Sequence, residues 1–246
     1  MGRTIEIQAT DGPAEDYLTG EAGRPGVLFY IDAIGLRLRI EEMADRIASW
    51  GYVVLAPNVF YRDGRAADLA PQAGQDLRDP GAREAFMASG VMDRVRGLTP
   101  DRSGPDAEAW VATLAEHAGD GPIGVSGYCM GARLAVRTAG QFPGTVAAAG
   151  GFHGGGLVTD DPASPHLAID GSTAQYAFGH ADQDRSMPLE AVEALEKALA
   201  EAGRPHVNEV YAGAAHGYTM ADTSMYDEAA TERHFEVLHD LLDRTL

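Results

Sequence analysis

The stretch Gly124-Val125-Ser126-Gly127-Tyr128-Cys129-Met130-Gly131-Ala132-Arg133-Leu134-Ala135 decides how the chain is read. Its first residues continue an apolar run from Pro122 and Ile123, as in a short buried strand, and Leu134 and Val136 mark a helix. Between them, Gly127-x-Cys129-x-Gly131 has the form G-x-S-x-G with cysteine in place of serine. Set between a strand and a helix, that pattern makes a sharp turn that lifts the central side chain clear of the sheet. The turn brings neighbouring backbone so close that a Cβ at either glycine would clash. At a helix start, free N–H groups and the helix dipole favour thiolate over thiol. The Met130 N–H would point to where an oxyanion develops.

Working outward, the same alternation of strand and helix fills the chain. Continuous apolar or β-rich runs at 26–31, 52–56, 145–149, 174–178 and 207–211 predict strands. Leu36, Ile40, Met43, Ile47 and Trp50 recur at helical spacing, as do Leu189, Val192, Leu195 and Leu199 before Gly203. A further helix is expected to open at Ser103-Gly104-Pro105, and a last one carries Phe235, Leu238, Leu242 and Leu246. This order predicts an α/β fold, a mostly parallel doubly wound sheet flanked by helices. With 246 residues and no linker or repeat, a single domain is expected over 1–246. Residues 62–102 stand apart. Seven arginines and seven acids make this Pro- and Gly-punctuated excursion neutral. It reads as a solvated surface segment with ion pairs, or as a partial lid whose arginines meet an anionic substrate.

Composition limits the partners. Nineteen basic residues against 37 acidic ones give a net charge of −18, a field that repels nucleic acid and anionic membranes. No run is long and apolar enough for a transmembrane helix, and the first residues read as mature protein, so the cytoplasm is the expected location. The lone cysteine, Cys129, excludes an internal disulfide and a multi-cysteine zinc site.

A nucleophile needs a base, and the base an orienting acid. Among eight histidines, His216 stands in a glycine-flanked loop after the last strand, whereas His117, His234 and His239 fall at partly exposed helical positions. In chain order the acid follows the strand at 174–178. Asp184 is the choice there and Asp182 the reserve. His180-x-Asp182-x-Asp184 also has a metal-ligand look, but nothing else in the chain completes such a site. His153-Gly154-Gly155-Gly156 imitates an oxyanion motif but follows the cysteine, so it is read as a turn. The loop in the right place is Tyr30-Ile31-Asp32-Ala33-Ile34-Gly35, which makes the Ala33 N–H the expected second oxyanion donor.

Taken together, the chain resembles the dienelactone hydrolases, a branch of the α/β-hydrolases, over roughly 5–245. The resemblance rests on Gly127-Tyr128-Cys129-Met130-Gly131, Ala56-Pro57-Asn58-Val59-Phe60-Tyr61-Arg62, the segment 179–188 and Ala215-His216-Gly217-Tyr218. It implies a Cys129, Asp184, His216 triad and hydrolysis of small-molecule esters or lactones with no metal or organic cofactor, in a monomer or homodimer. The family places a thiol-activating glutamate after its first long strand, where this chain has Asp32, which alternatively caps the following helix. The family also clamps a substrate carboxylate with arginines, one of them just after the histidine. Here Thr219-Met220-Ala221-Asp222 follows instead, and Arg83, with Arg62 and Tyr128, is the expected substrate contact. A catalytically silent scaffold for binding or redox sensing, and a thioesterase, are the alternative readings.

Overall fold

Residues 2–246 are described by a computed structural model. They form two compact units. The first runs to Asp120 and takes in Met220–Tyr226; the second comprises Gly121–Thr219 and Asp227–Leu246.

The first unit holds β1 (Arg3–Ala9), β2 (Gly12–Thr19), β3 (Gly26–Tyr30), α1 (Leu38–Ala48) and β4 (Val53–Ala56). Helices α2 (Ala66–Leu69), α3 (Pro80–Phe86), α4 (Met92–Gly97) and α5 (Pro100–His117) follow. Its strands pair in the order β1-β2-β4-β3, with β3 and β4 parallel and β1 and β2 added as an antiparallel hairpin. The hairpin was not read from the sequence. Its strands turn at Gly12, where φ is +143°, and only Ile5 and Ile7 hint at alternation in the first of them. β3 and β4 are buried at every position, as the continuous apolar runs predict. Helix α5 begins at Pro100, earlier than Ser103, and carries Pro105 inside it. Pro100 opens the helix, where its missing N–H has no helical partner to lose, whereas Pro105 lacks the N–H that would bond the Asp101 carbonyl. Trp110 and Leu114 of α5 are fully buried.

The excursion 62–102 folds into short helices joined by a π-helical turn at Met87–Val91, and five of its seven arginines have the following partners. Arg62 bridges Asp106 through both terminal nitrogens (2.6 and 3.1 Å) and Asp11 through Nε (2.6 Å). Arg65 pairs with Glu15, Arg78 with Asp76, and Arg96 with Asp93. Arg102 donates to the Gly97 carbonyl. Ion pairs are thus formed by Arg62, Arg65, Arg78 and Arg96 of this segment.

The second unit consists of β5 (Ile123–Tyr128), α6 (Gly131–Gln141), β6 (Val146–Phe152), β7 (Gln175–Ala181), α7 (Leu189–Glu201), β8 (His206–Tyr211) and α8 (Glu228–Asp243). Its four strands are all parallel, in the order β5-β6-β7-β8. Parallel neighbours need a crossover between them, and α6 and α7 supply two. In α6 the sequence places Ala132, Leu134, Ala135, Val136 and Ala139 on positions that are all buried.

Candidate active site

Cys129 follows β5 directly, with φ at +55°, a left-handed conformation that costs a non-glycine residue free energy. Its N–H is tied to the Phe152 carbonyl (3.1 Å), and Ala132 N–H bonds back to the Cys129 carbonyl (3.3 Å). Gly127 is what permits this turn. A Cβ there would lie 2.1 Å from the Gly131 carbonyl oxygen and 2.7 Å from Ala132 N, both main-chain atoms that cannot swing aside. Gly127→Ala is therefore expected to destabilise the protein by about 3 kcal/mol, read as a lower urea midpoint. An unchanged midpoint would contradict this account of the turn.

Two separated loops converge on the turn at Cys129. His216 Nε2 lies 3.0 Å from its Sγ, and His216 Nδ1 donates to Asp184 Oδ2 at 2.5 Å. Burial opposes charge on His216. The negative charge of Cys129 and hydrogen bonds to Asp184 and Cys129 outweigh it and raise the imidazole to about 10. Burial likewise pushes the Asp184 carboxyl up. Its contacts with His216 and Ser186 pull it lower, to about 2. His216 is thus disposed to hold its proton between the Cys129 sulfur and the Asp184 carboxylate. Ser186, which the sequence reading passed over, holds the acid: its N–H and hydroxyl both donate to Asp184 Oδ1, at 2.8 and 2.7 Å. The signal was present as Asp184-x-Ser186, the spacing of a side chain accepting from the backbone two residues on.

Asp182 is not brought to His216. Its carboxylate accepts from Gly213 N–H (2.9 Å) and so pins the loop after β8. His180 turns to Asn208 (2.7 Å), so the three residues with a metal-ligand look go to three different partners. Among the described residues no group of three or more His, Cys, Asp and Glu side chains is disposed to hold a metal ion.

Other expectations give way to packing. Tyr128 is fully buried and offers a substrate no side-chain surface. Its hydroxyl is 2.9 Å from His234 Nε2. His234 Nδ1 lies 2.7 Å from the Thr231 carbonyl, so Nδ1 carries the proton and Nε2 accepts from tyrosine. His234 is accordingly buried in the core and not at a partly exposed position. Arg62 is held by Asp106 and Asp11, and the half-buried Arg83 sits on α3 with its Nε buried and without a partner. His153 does shape a turn, at φ +38°, with its N–H on the Gly179 carbonyl. Its fully buried ring sits 5.4 Å from that of His216, and burial first, then the neighbouring histidines, keep it neutral.

In the first unit, Ala33 is buried in the turn after β3. Asp32 does not cap a helix, because α1 starts at Leu38 with Arg37 at its N-cap position. Its Oδ1 instead accepts from Ile34 and Gly35 N–H, and both oxygens are gripped by Arg37 at 2.8 and 3.1 Å. Arg37 is buried and also bonds Asp222 at 2.6 and 3.1 Å. Asp222, from the stretch after His216 where the family pattern has an arginine, is thus an acid held by Arg37.

The sequence model of the dienelactone hydrolase family matches residues 15–246. The chain belongs to the dienelactone hydrolase family. Among its relatives, protein usf of Aquifex pyrophilus is 28% identical, over 89% of this chain and 87% of its own. Dienlactone hydrolase 1 of Gibberella moniliformis is 25% identical, over 98% of this chain and 87% of its own. Among solved structures, a dienelactone hydrolase-like promiscuous phosphotriesterase from metagenomic libraries superposes with a TM-score of 0.69. At 18% identity it covers 100% of this chain and 98% of its own, which establishes a shared fold. As a member of this hydrolase family the chain has the α/β-hydrolase fold that the alternation of strands and helices predicted. No helix among the described residues is long and apolar enough to cross a membrane.

Proposed function

We propose that this family member hydrolyses small carboxylic esters or lactones through a thioester on Cys129. The observation that carries the reading is the unbroken chain of contacts from Cys129 Sγ to His216 Nε2 at 3.0 Å and from His216 Nδ1 to Asp184 at 2.5 Å. The thiolate attacks the carbonyl carbon, and the Met130 N–H at the start of α6 stabilises the oxyanion. His216 gives its proton to the departing alkoxide as the thioester forms. Now neutral, it takes a proton from the water that attacks the thioester, and collapse releases the acid and restores the ion pair.

The pH dependence tests this directly. With its pKa raised to about 10, His216 holds its proton across neutral pH and loses it as pH rises through that value. The stabilisation it draws from its partners is fully present below about 6.5, the unfolded value, and disappears on the way to about 10. For a simple alkyl ester, whose alkoxide needs the proton, kcat/KM is expected to decline on an alkaline limb near pH 10. A limb centred near an unperturbed histidine, at about 6.5, would contradict the ion-paired reading.

A further inference from the structure

The turn His153-Gly154-Gly155-Gly156, which follows β6, lies against both the base and the acid of the site. A Cβ on Gly155 would stand 3.6 Å from His216 Cε1 and 2.6 Å from Ser186 Oγ, and Gly156 N–H donates to the Ser186 carbonyl at 2.7 Å. His153 itself meets three residues of the loop that carries the base. Its ring centroid is 5.4 Å from that of His216 and 4.9 Å from that of Tyr218, both edge to face, and its Nε2 lies 2.8 Å from Thr219 Oγ1. The main chain joins the same parts: the Gly179 carbonyl accepts from His153 N–H at 2.8 Å and from the Tyr218 hydroxyl at 3.0 Å. All of these residues belong to the second unit.

This placement is costly. His153 holds a left-handed φ of +38°, which a non-glycine residue adopts only where its surroundings impose it. Its ring is fully buried, and Nδ1 has no hydrogen-bond partner among the described residues, a burden on a polar atom kept from water. Phenylalanine would fill the space without that burden but could not bond Thr219. Departures of this kind gather at functional sites. The titratable groups that face His153 are His216, His234 and Asp184, and burial first of all keeps it uncharged. It therefore sets no positive charge against the proton on His216, on which Cys129 and Asp184 act. We propose that His153 is a positioning residue: tied to Thr219 and packed on Tyr218, it fixes the His216 ring on the line between Cys129 Sγ and Asp184. The inference deepens the hydrolase reading and rests on it for the reaction that His216 serves. Such a tie matters because a displacement of about 1 Å in a reacting geometry costs about a hundredfold in rate.

The test follows the His216 ring by NMR titration of histidine-labelled protein, its signal assigned by loss in His216→Gln. Wild type, His153→Phe, Thr219→Val and the double variant are compared. Wild-type His216 should titrate at about 10. Either single substitution should lower that midpoint by about one pH unit, the scale of one hydrogen bond. The alkaline limb of alkyl-ester hydrolysis should move with it. The double variant should shift it no further than His153→Phe alone, because both substitutions break one contact. His153→Gln, which keeps a group able to bond Thr219, should recover part of the shift. Thr219→Val changes shape least and decides the matter if His153→Phe fails to fold. A midpoint that stays at the wild-type value in the folded variants, even with a lower urea midpoint or a lower rate, makes His153 a packing residue and overturns the proposal. A wild-type midpoint at about 6.5, the unperturbed value, overturns it as well. A shift in the variants with no ester turnover by wild type would leave the positioning role standing and defeat the hydrolase reading instead.

Discussion

Cys129→Ala is expected to lower ester turnover by about 10⁴ or more. In triad enzymes the members act as a unit, and removing the nucleophile costs most of the acceleration, leaving what binding and oxyanion stabilisation supply. Here the loss is compounded, because the thiolate charge is the foremost influence sustaining the proton on His216. Without it the histidine is driven by burial toward its neutral form and toward Asp184 alone. Cys129→Ser should fare little better. A hydroxyl needs a neutral base to take its proton, whereas His216 is disposed as the partner of a sulfur already ionised. Steady-state hydrolysis of p-nitrophenyl acetate, with urea unfolding as the control for the fold, checks both. A variant that keeps most of its rate would remove Cys129 from the chemistry.

Asp184→Asn is expected to cost about 10³ in kcat/KM, and Asp182→Asn far less. Asp184 receives the His216 Nδ1–H at 2.5 Å and is fixed by two donors from Ser186. Asparagine keeps the shape but removes the charge that stabilises an imidazolium, and its amide can present a donor where an acceptor is needed. Asp182 accepts a single backbone N–H from Gly213, a bond that an asparagine carbonyl reproduces. Stability should follow the same ranking. The Asp184 carboxyl is held at about 2, so its contribution is present above about 3.9, the unfolded value, and fades as pH falls through about 2. Asp184→Asn should therefore remove stability at neutral pH and flatten the acid limb of the unfolding curve. Greater damage from Asp182→Asn would reverse the assignment.

The parts of this molecule legible in the sequence are those governed by local periodicity. The buried strands β3 and β4 and the faces of α1, α6 and α7 follow from where Val27, Leu55, Ile40, Leu134 and Leu195 recur. The turn at Cys129 was legible too, because the glycine spacing encodes a backbone crowding that any strand-to-helix elbow shares. Contacts closed over long stretches of chain were not. Arg37 meets Asp222 across 185 residues, and nothing in either neighbourhood announces the pair. Asp32 reads as a cap or a thiol partner, and nothing near it in the chain announces that Arg37 holds both its oxygens. His234 was misread because its helix position suggests partial exposure, while Tyr128 and Phe152 enclose it. The 62–102 segment hid its helices because Pro80 and Pro100, which open two of them, read equally well as loop punctuation.

The central claim is that an acyl group resides on Cys129 during turnover. Rapid mixing with p-nitrophenyl acetate, acid quenching at successive times, and intact mass followed by peptide mapping tests it. The account predicts one acetyl group on the peptide containing Cys129, rising before steady state, decaying as substrate is exhausted, and absent from Cys129→Ala. Steady hydrolysis with no adduct at any time, or an acetyl group mapped to another residue, would contradict it.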